Sequence, residues 1–199
     1  MARRAVSCGG FTLIELSVTL TVMAVLMALA MPSVFAWISN TRVRTVSDAL
    51  QNGLRQAQAE AVRRSRTAVF SLTNDSAPRT SLTAVANGSN WSINFVASSR
   101  LDTAGVATFV EAGVLTNAGT GVRISGPAAI CFNPLGRLVA NGATGITGAT
   151  CSLASTPTYD VTLASADRPL RVVVSLGGQV HLCDPARTLS SSAPDGCPG

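Results

Sequence analysis

Residues 10–38 read GFTLIELSVTLTVMAVLMALAMPSVFAWI, a run in which Glu15 is the only charged side chain. A short basic leader, MARRAVSCGG, precedes it. Roughly 20 residues at about 1.5 Å each cross the hydrocarbon of a bilayer, so a helix over 11–38 is long enough to span one. The stretch is a membrane helix or an export signal. An ionised acid near the middle of such a helix costs about 2.5–3.5 kcal/mol on translocon scales. Glu15 therefore calls for a partner or, being close to the start of the run, for a path to the headgroups.

A secretory signal peptide competes with the membrane helix, because ALA at 28–30 and VFA at 34–36 offer small residues at signal-peptidase positions. An acid within the apolar region is unfavourable for such a signal, and the glycine pair before Phe11 would have no role in it. A lipoprotein signal at Cys8 lacks a preceding apolar stretch. Flanking arginines, Arg3 and Arg4 before the helix and Arg42 and Arg44 after it, are nearly balanced. The short leader favours a cytoplasmic N-terminus, which places everything after Ile38 outside the inner membrane.

Gly10 followed by FTLIEL resembles the processing site of the type IV pilins and type II secretion pseudopilins. The resemblance implies that a prepilin peptidase cuts between Gly10 and Phe11 and methylates the new amine of Phe11. It also implies that Glu15 is the assembly acid. Where helices stack with an axial stagger, the cationic amine of an incoming Phe11 can neutralise Glu15 of a subunit already in place. Two opposite buried charges are tolerated where one is not.

At 199 residues, with a formal net charge of +5, the chain has room for one domain and an appendage. All 15 basic residues are arginine. Of five cysteines, Cys8 leaves with the leader; an even set of four in an exported, loop-rich domain reads as two disulfides. Three pairings are open. The sequence-local one, Cys131 with Cys151 and Cys183 with Cys197, is preferred because each closes a glycine- or serine-rich loop, at about 3 kcal/mol apiece on the chain-entropy model. Zinc is disfavoured: no CxxC pair exists and His181 is the sole histidine. No metal or cofactor is expected.

Pro32 falls inside the helical pattern, where it removes a donor and crowds the carbonyl of Ala28, so a kink or loosened turn is expected. By resemblance to pilins, such a helix bends or partly melts as the subunit leaves the membrane. Beyond it, Val43, Val46, Leu50, Leu54, Ala57 and Ala61 recur at three- and four-residue steps, an apolar stripe that should cover a sheet. Arg44, Arg55 and Arg66 are spaced by eleven on the other side, with Asp48 placed to pair with Arg44 and Glu60 with Arg64. Isolated Gly53 weakens the helix slightly.

From Thr67 the texture changes to short apolar alternations. Strands are expected at Ala68 to Leu72, Trp91 to Phe95, Val106 to Val110, Gly121 to Ile124, Ala129 to Phe132, Tyr159 to Leu163, Leu170 to Ser175 and Gln179 to Cys183. Gly177 and Gly178 suit a tight hairpin between the last two. Residues 141–150 read as a loop, and the tail SSSAPDGCPG as flexible up to its tie at Cys197.

The architecture expected is α+β: a long N-terminal helix, membrane-spanning in its first half and amphipathic in its second, packed on a β-rich head as in pilins. It divides into a leader (1–10), an assembly helix (11–38), a stem (39–66) and a periplasmic head with a disulfide-tied tail (67–199). Together with RVVVSLGGQVHLC at 171–183, this resembles the GspH/FimT family of minor pilins and pseudopilins. The resemblance implies a non-catalytic subunit of a type II secretion pseudopilus or a type IV pilus. Its partners would be prepilin peptidase, other pilins and inner-membrane lipid.

Two other classes remain open. Some FimT-like members bind DNA through a GRxR motif, but the corresponding Gly178, Gln179, Val180 and His181 lack both arginines. The head carries seven arginines against seven acids, whereas 39–66 holds six against two, so a nucleic-acid contact would fall on Arg44, Arg55 and Arg66. Basic charge alone is not DNA specificity; a solvated face, acidic neighbours or headgroups use it equally. A membrane-tethered periplasmic binding domain unrelated to filaments is the other. An enzyme is disfavoured, since no nucleophile elbow, P-loop or metal motif accompanies the single histidine.

Overall fold

The computed structural model describes residues 10, 12–79, 82–97, 107–115 and 119–198. One helix, α1, runs from Leu13 to Arg63 and continues unbroken through Pro32. Its first buried side chain is Ser39. From there the three- and four-residue spacing does what it predicts: Val43, Val46, Leu50, Leu54, Ala57 and Ala61 are all at most 1% exposed. Burying such a stripe stabilises by about 25 cal/mol for each Å² of apolar surface removed from water.

The stripe packs on two five-stranded sheets. The first contains β1 (Ala68–Thr73), β2 (Asn90–Phe95), β3 (Thr108–Val114), β5 (Ala129–Phe132) and β6 (Leu138–Val139), in the order β3-β2-β1-β5-β6. The second contains β4 (Arg123–Ser125), β7 (Thr158–Thr162), β8 (Leu170–Val174), β9 (Val180–Thr188) and β10 (Gly196–Cys197), in the order β10-β9-β8-β7-β4. The ladders are antiparallel except for β10 on β9, which is parallel. Helix, first sheet and second sheet share one core, in which Phe70 stacks on Trp91 with centroids 5.7 Å apart and meets Tyr159 edge-on at 6.2 Å.

Helix and sheet approach closely at Gly53. A Cβ there would lie 2.9 Å from Trp91 Cε2, so the glycine that lowers helix propensity is the one that seats the indole. Strands β1 and β2 are buried on both faces. The outer face of β1 is covered by the stretch expected to be a plain loop: Ala149 packs in one cluster with Val69, Thr144 and Ala149 are 1% and 4% exposed, and the Ala84 amide donates to the Thr147 carbonyl at 2.8 Å. Cys131, on β5, is joined to Cys151 with sulfurs 2.07 Å apart, which pins this cover onto the sheet.

Cys183 is joined to Cys197, with Cα atoms 5.0 Å apart. Strand β9 does not stop at Cys183 as expected but continues through Pro185 to Thr188. The tail is ordered rather than loose, because Asp184 N donates to Asp195 O at 2.7 Å and Leu189 N to Cys197 O at 3.0 Å. Pro185 is tolerated on a strand where no donor is needed at that position. The strand expected at Val106 to Val110 lies later, at β3; residue 106 is outside the described residues. The two-residue strands β6 and β10 are too short to leave an alternation.

Candidate functional site

The site is the start and the exposed half of α1. Gly10 is exposed, and a Cβ built on it would meet nothing within 4 Å. Phe11 and the leader before Gly10 lie outside the described residues. Thr12 is the N-cap of α1, extended at φ −82° and ψ 151°, and its hydroxyl accepts from the Glu15 amide at 3.3 Å. Thr12 and Glu15 thus have the spacing of a capping box, and an acid in the first turn is favoured by the helix dipole. The cap role of Thr12 was legible in that spacing but overshadowed by the acid.

Between Leu13 and Ile38 the side chains face outward. Leu13, Ile14 and Leu29 are 87%, 71% and 75% exposed, and no residue in the most apolar window of the helix is buried. Among the described residues this is the one helix long and apolar enough to cross a membrane. Its hydroxyls are all turned back onto their own backbone: Ser17 donates to Ile14 O, Thr19 to Leu16 O, Thr21 to Ser17 O and Val18 O, and Ser33 to Ala30 O, at 2.8–3.1 Å. Such back-bonding hides polar atoms from an apolar surrounding. The Glu15 carboxylate is different. It has no hydrogen-bond or ion-pair partner among the described residues, and it stands exposed.

Where the bare half ends, the head is tied to the stem. Ser39 and Ser165 hydroxyls meet at 2.8 Å, and Asn40 Oδ1 accepts from the amides of Asp167 and Arg168 at 3.2 Å each. Neither tether carries a periodic signal. Beside it, a groove of about 620 Å³ opens between stem and second sheet, lined by Trp37, Arg44, Asp48, Arg168, Leu182 and Asp195 among others. Its charges are mixed.

The three arginines spaced by eleven do not form one face. Arg44 pairs with Asp48 at 3.6 Å, and Arg55 Nη2 donates to the Val180 carbonyl at 3.3 Å. Arg66 lies beyond the C-cap of α1, where its guanidinium sits 5.2 Å from the Phe95 ring centre and donates to Val96 O at 3.1 Å. The helix ends one turn too early for the third member of the series. Glu60 takes both Arg63, at 2.6 Å, and Arg64, at 3.2 Å; the hydrogen bond from Arg63 holds its carboxyl below the usual carboxylate range. His181 is exposed, 3.4 Å from the Gln179 amide oxygen.

Residues 7–31 match the model of the prokaryotic N-terminal methylation motif, and residues 46–178, more than half of the chain, match that of type II transport protein GspH. Among solved structures the chain is similar to the type IV minor pilin FimU of Pseudomonas aeruginosa. One crystal form is 17% identical with a TM-score of 0.46, covering 71% of this chain and 96% of that one; another is 16% identical at 0.48, covering 73% and 93%. It is also similar to the minor pseudopilin EpsH from the type 2 secretion system of Vibrio cholerae, at 11% identity and a TM-score of 0.40, covering 73% and 99%. No curated protein matches. With the methylation motif ahead of a long apolar helix and the head matched through β8, the chain belongs to the GspH family of pilin-like type II transport proteins.

Proposed function

We propose that this chain is a non-catalytic minor subunit of a pilin-type filament, a type II secretion pseudopilus or a type IV pilus. Prepilin peptidase removes residues 1–10 and methylates Phe11. Residues 11–38 then hold the subunit in the inner membrane, N-terminus inward, with the stem (39–66) and the head (67–199) on the periplasmic side. On assembly, the amine of Phe11 in one subunit neutralises Glu15 in the next.

One observation carries this reading. In the apolar half of the helix, whose hydroxyls are each satisfied by their own backbone, Glu15 is the one acid, and its exposed carboxylate has no partner among the described residues. An unpaired anion is costly in lipid, so the position is explained by a cation that arrives later. DNA binding gains no support from geometry, because Arg44, Arg55 and Arg66 are engaged separately. The test is the intact mass and N-terminal sequence of the mature protein. A methylated Phe11 start is expected; a start at Met1, Met31 or Trp37 overturns the proposal.

A further inference from the structure

The end of the head farthest from the apolar half of α1 is built by close approach of three elements. Gln58, in the last two turns of the helix, donates to the Gly136 carbonyl at 2.8 Å. Gly136 is in the turn between β5 and β6, and Gly178, in the turn between β8 and β9, lies against the same carbonyl at φ +92°; no side chain fits there. Asn133 locks the first turn by accepting from the amides of Leu135 and Arg137 at 2.9 and 3.0 Å. This end is therefore a rigid platform rather than a pair of loose loops.

What the platform presents is unusual for a solvated surface. Beyond Ile38, six large apolar side chains stand exposed among the described residues, and three of them belong to this end: Val62 at 50%, beside Gly136, Leu135 at 78%, in the same turn as Gly136, and Leu176 at 53%, whose carbonyl accepts from Leu138 N at 3.2 Å. Clustered exposed aliphatics mark interaction sites, whereas scattered ones do not. The charge around them is one-sided. Glu60 is shared by Arg63 and Arg64, and Arg137 meets no carboxylate among the described residues, so the rim is cationic.

We propose that this platform docks the neighbouring filament subunit, through a face on which an apolar side chain is ringed by carboxylates. The inference rests on the filament reading above. Parallel helices in axial stagger bring the far end of one head against the subunit ahead of it, and an arginine rim selects an acidic counterpart. Phosphate binding would use the same arginines. It would leave the three exposed aliphatic side chains without a role, since single strands are gripped by stacking on aromatic rings.

The test places a photo-reactive residue at position 135, 176 or, as a control on the tail as exposed as Leu176, 189, in the full-length chain expressed in its own host. Adducts in the sheared filament fraction are identified by mass. Positions 135 and 176 are expected to capture a subunit carrying its own N-terminal methylation motif about tenfold more than position 189, and L135D with R137E is expected to cut incorporation about tenfold at unchanged head melting. Arg137→Lys should retain most of it. Equal capture at 189, adducts to nucleic acid, or normal incorporation of the double variant overturns the proposal. A processed, filament-borne chain with no adduct at 135 overturns it alone; a chain that never leaves its leader or never enters a filament overturns the filament reading and this inference with it.

Discussion

Gly53 and Trp91 are in contact across the helix–sheet boundary, with the position of a Cβ on residue 53 only 2.9 Å from indole Cε2 and 3.2 Å from Phe70 Cε2. The indole is 7% exposed and held between Gly53 and Gly113, so it has little room to move. Gly53→Ala is a case where two effects oppose. Alanine improves helix propensity by about 1 kcal/mol, while overpacking a closed core costs about 1–3 kcal/mol. The second wins: denaturant unfolding of the detergent-solubilised chain should show a loss of about 1–2 kcal/mol. A gain in stability would mean that the ring yields.

Tyr159 is the only tyrosine, fully buried, and its hydroxyl has no partner among the described residues. Burial pushes its phenol well above the ordinary range. The raised group keeps its proton in the folded state, so its contribution is intact below the unfolded pKa of about 10 and declines above it by about 1.4 kcal/mol per pH unit. Alkaline titration should show tyrosinate absorbance appearing together with unfolding, not before it. Tyr159→Phe should abolish that signal and cost no stability, because it removes an unpaired buried hydroxyl; a tyrosinate signal in a still-folded head would contradict the burial argument.

Glu15→Ala and Glu15→Gln are expected to reduce filament incorporation equally, since both remove the charge, while head stability stays the same. The two arms separate ion pairing from hydrogen bonding. Recovery of normal filament levels by Glu15→Gln would show that charge is not what the position supplies.

The two disulfides should fail differently. Replacing Cys131 and Cys151 by serine costs about 3 kcal/mol or more, because it loosens the cover over β1 and puts hydroxyls into a buried cluster. Replacing Cys183 and Cys197 frees the tail. Limited proteolysis should then cut between Thr188 and Cys197 while the melting of the core shifts less, and a protected tail would show that the β9–β10 ladder holds without its staple.

The α+β class, the change from bare to covered helix and the longer strands of the head were legible because each is a local pattern, whereas the two-residue β6 and β10 were not. An uncharged run of membrane length, a three- and four-residue stripe and a two-residue alternation are properties of the chain before it folds. The N-terminal string GFTLIEL is a local pattern of the same kind. The stripe from Val43 to Ala61 needed no tertiary information to be placed on the core side.

What only the tertiary structure decided are the relationships between distant segments. Gly53 looks like a weak point in a helix until Trp91 is seen against it. Residues 141–150 look like a loop until Thr147 pairs with Ala84 and the cover closes over Val69. The series Arg44, Arg55, Arg66 looks like one face until the helix stops at Arg63 and Phe95 takes the last guanidinium. Val62, Leu135 and Leu176 are far apart in sequence, and no periodicity connects them. A chain pattern can record which side of an element is apolar, but which surface meets it is set by packing between elements, where a contact of a few ångströms depends on both partners at once.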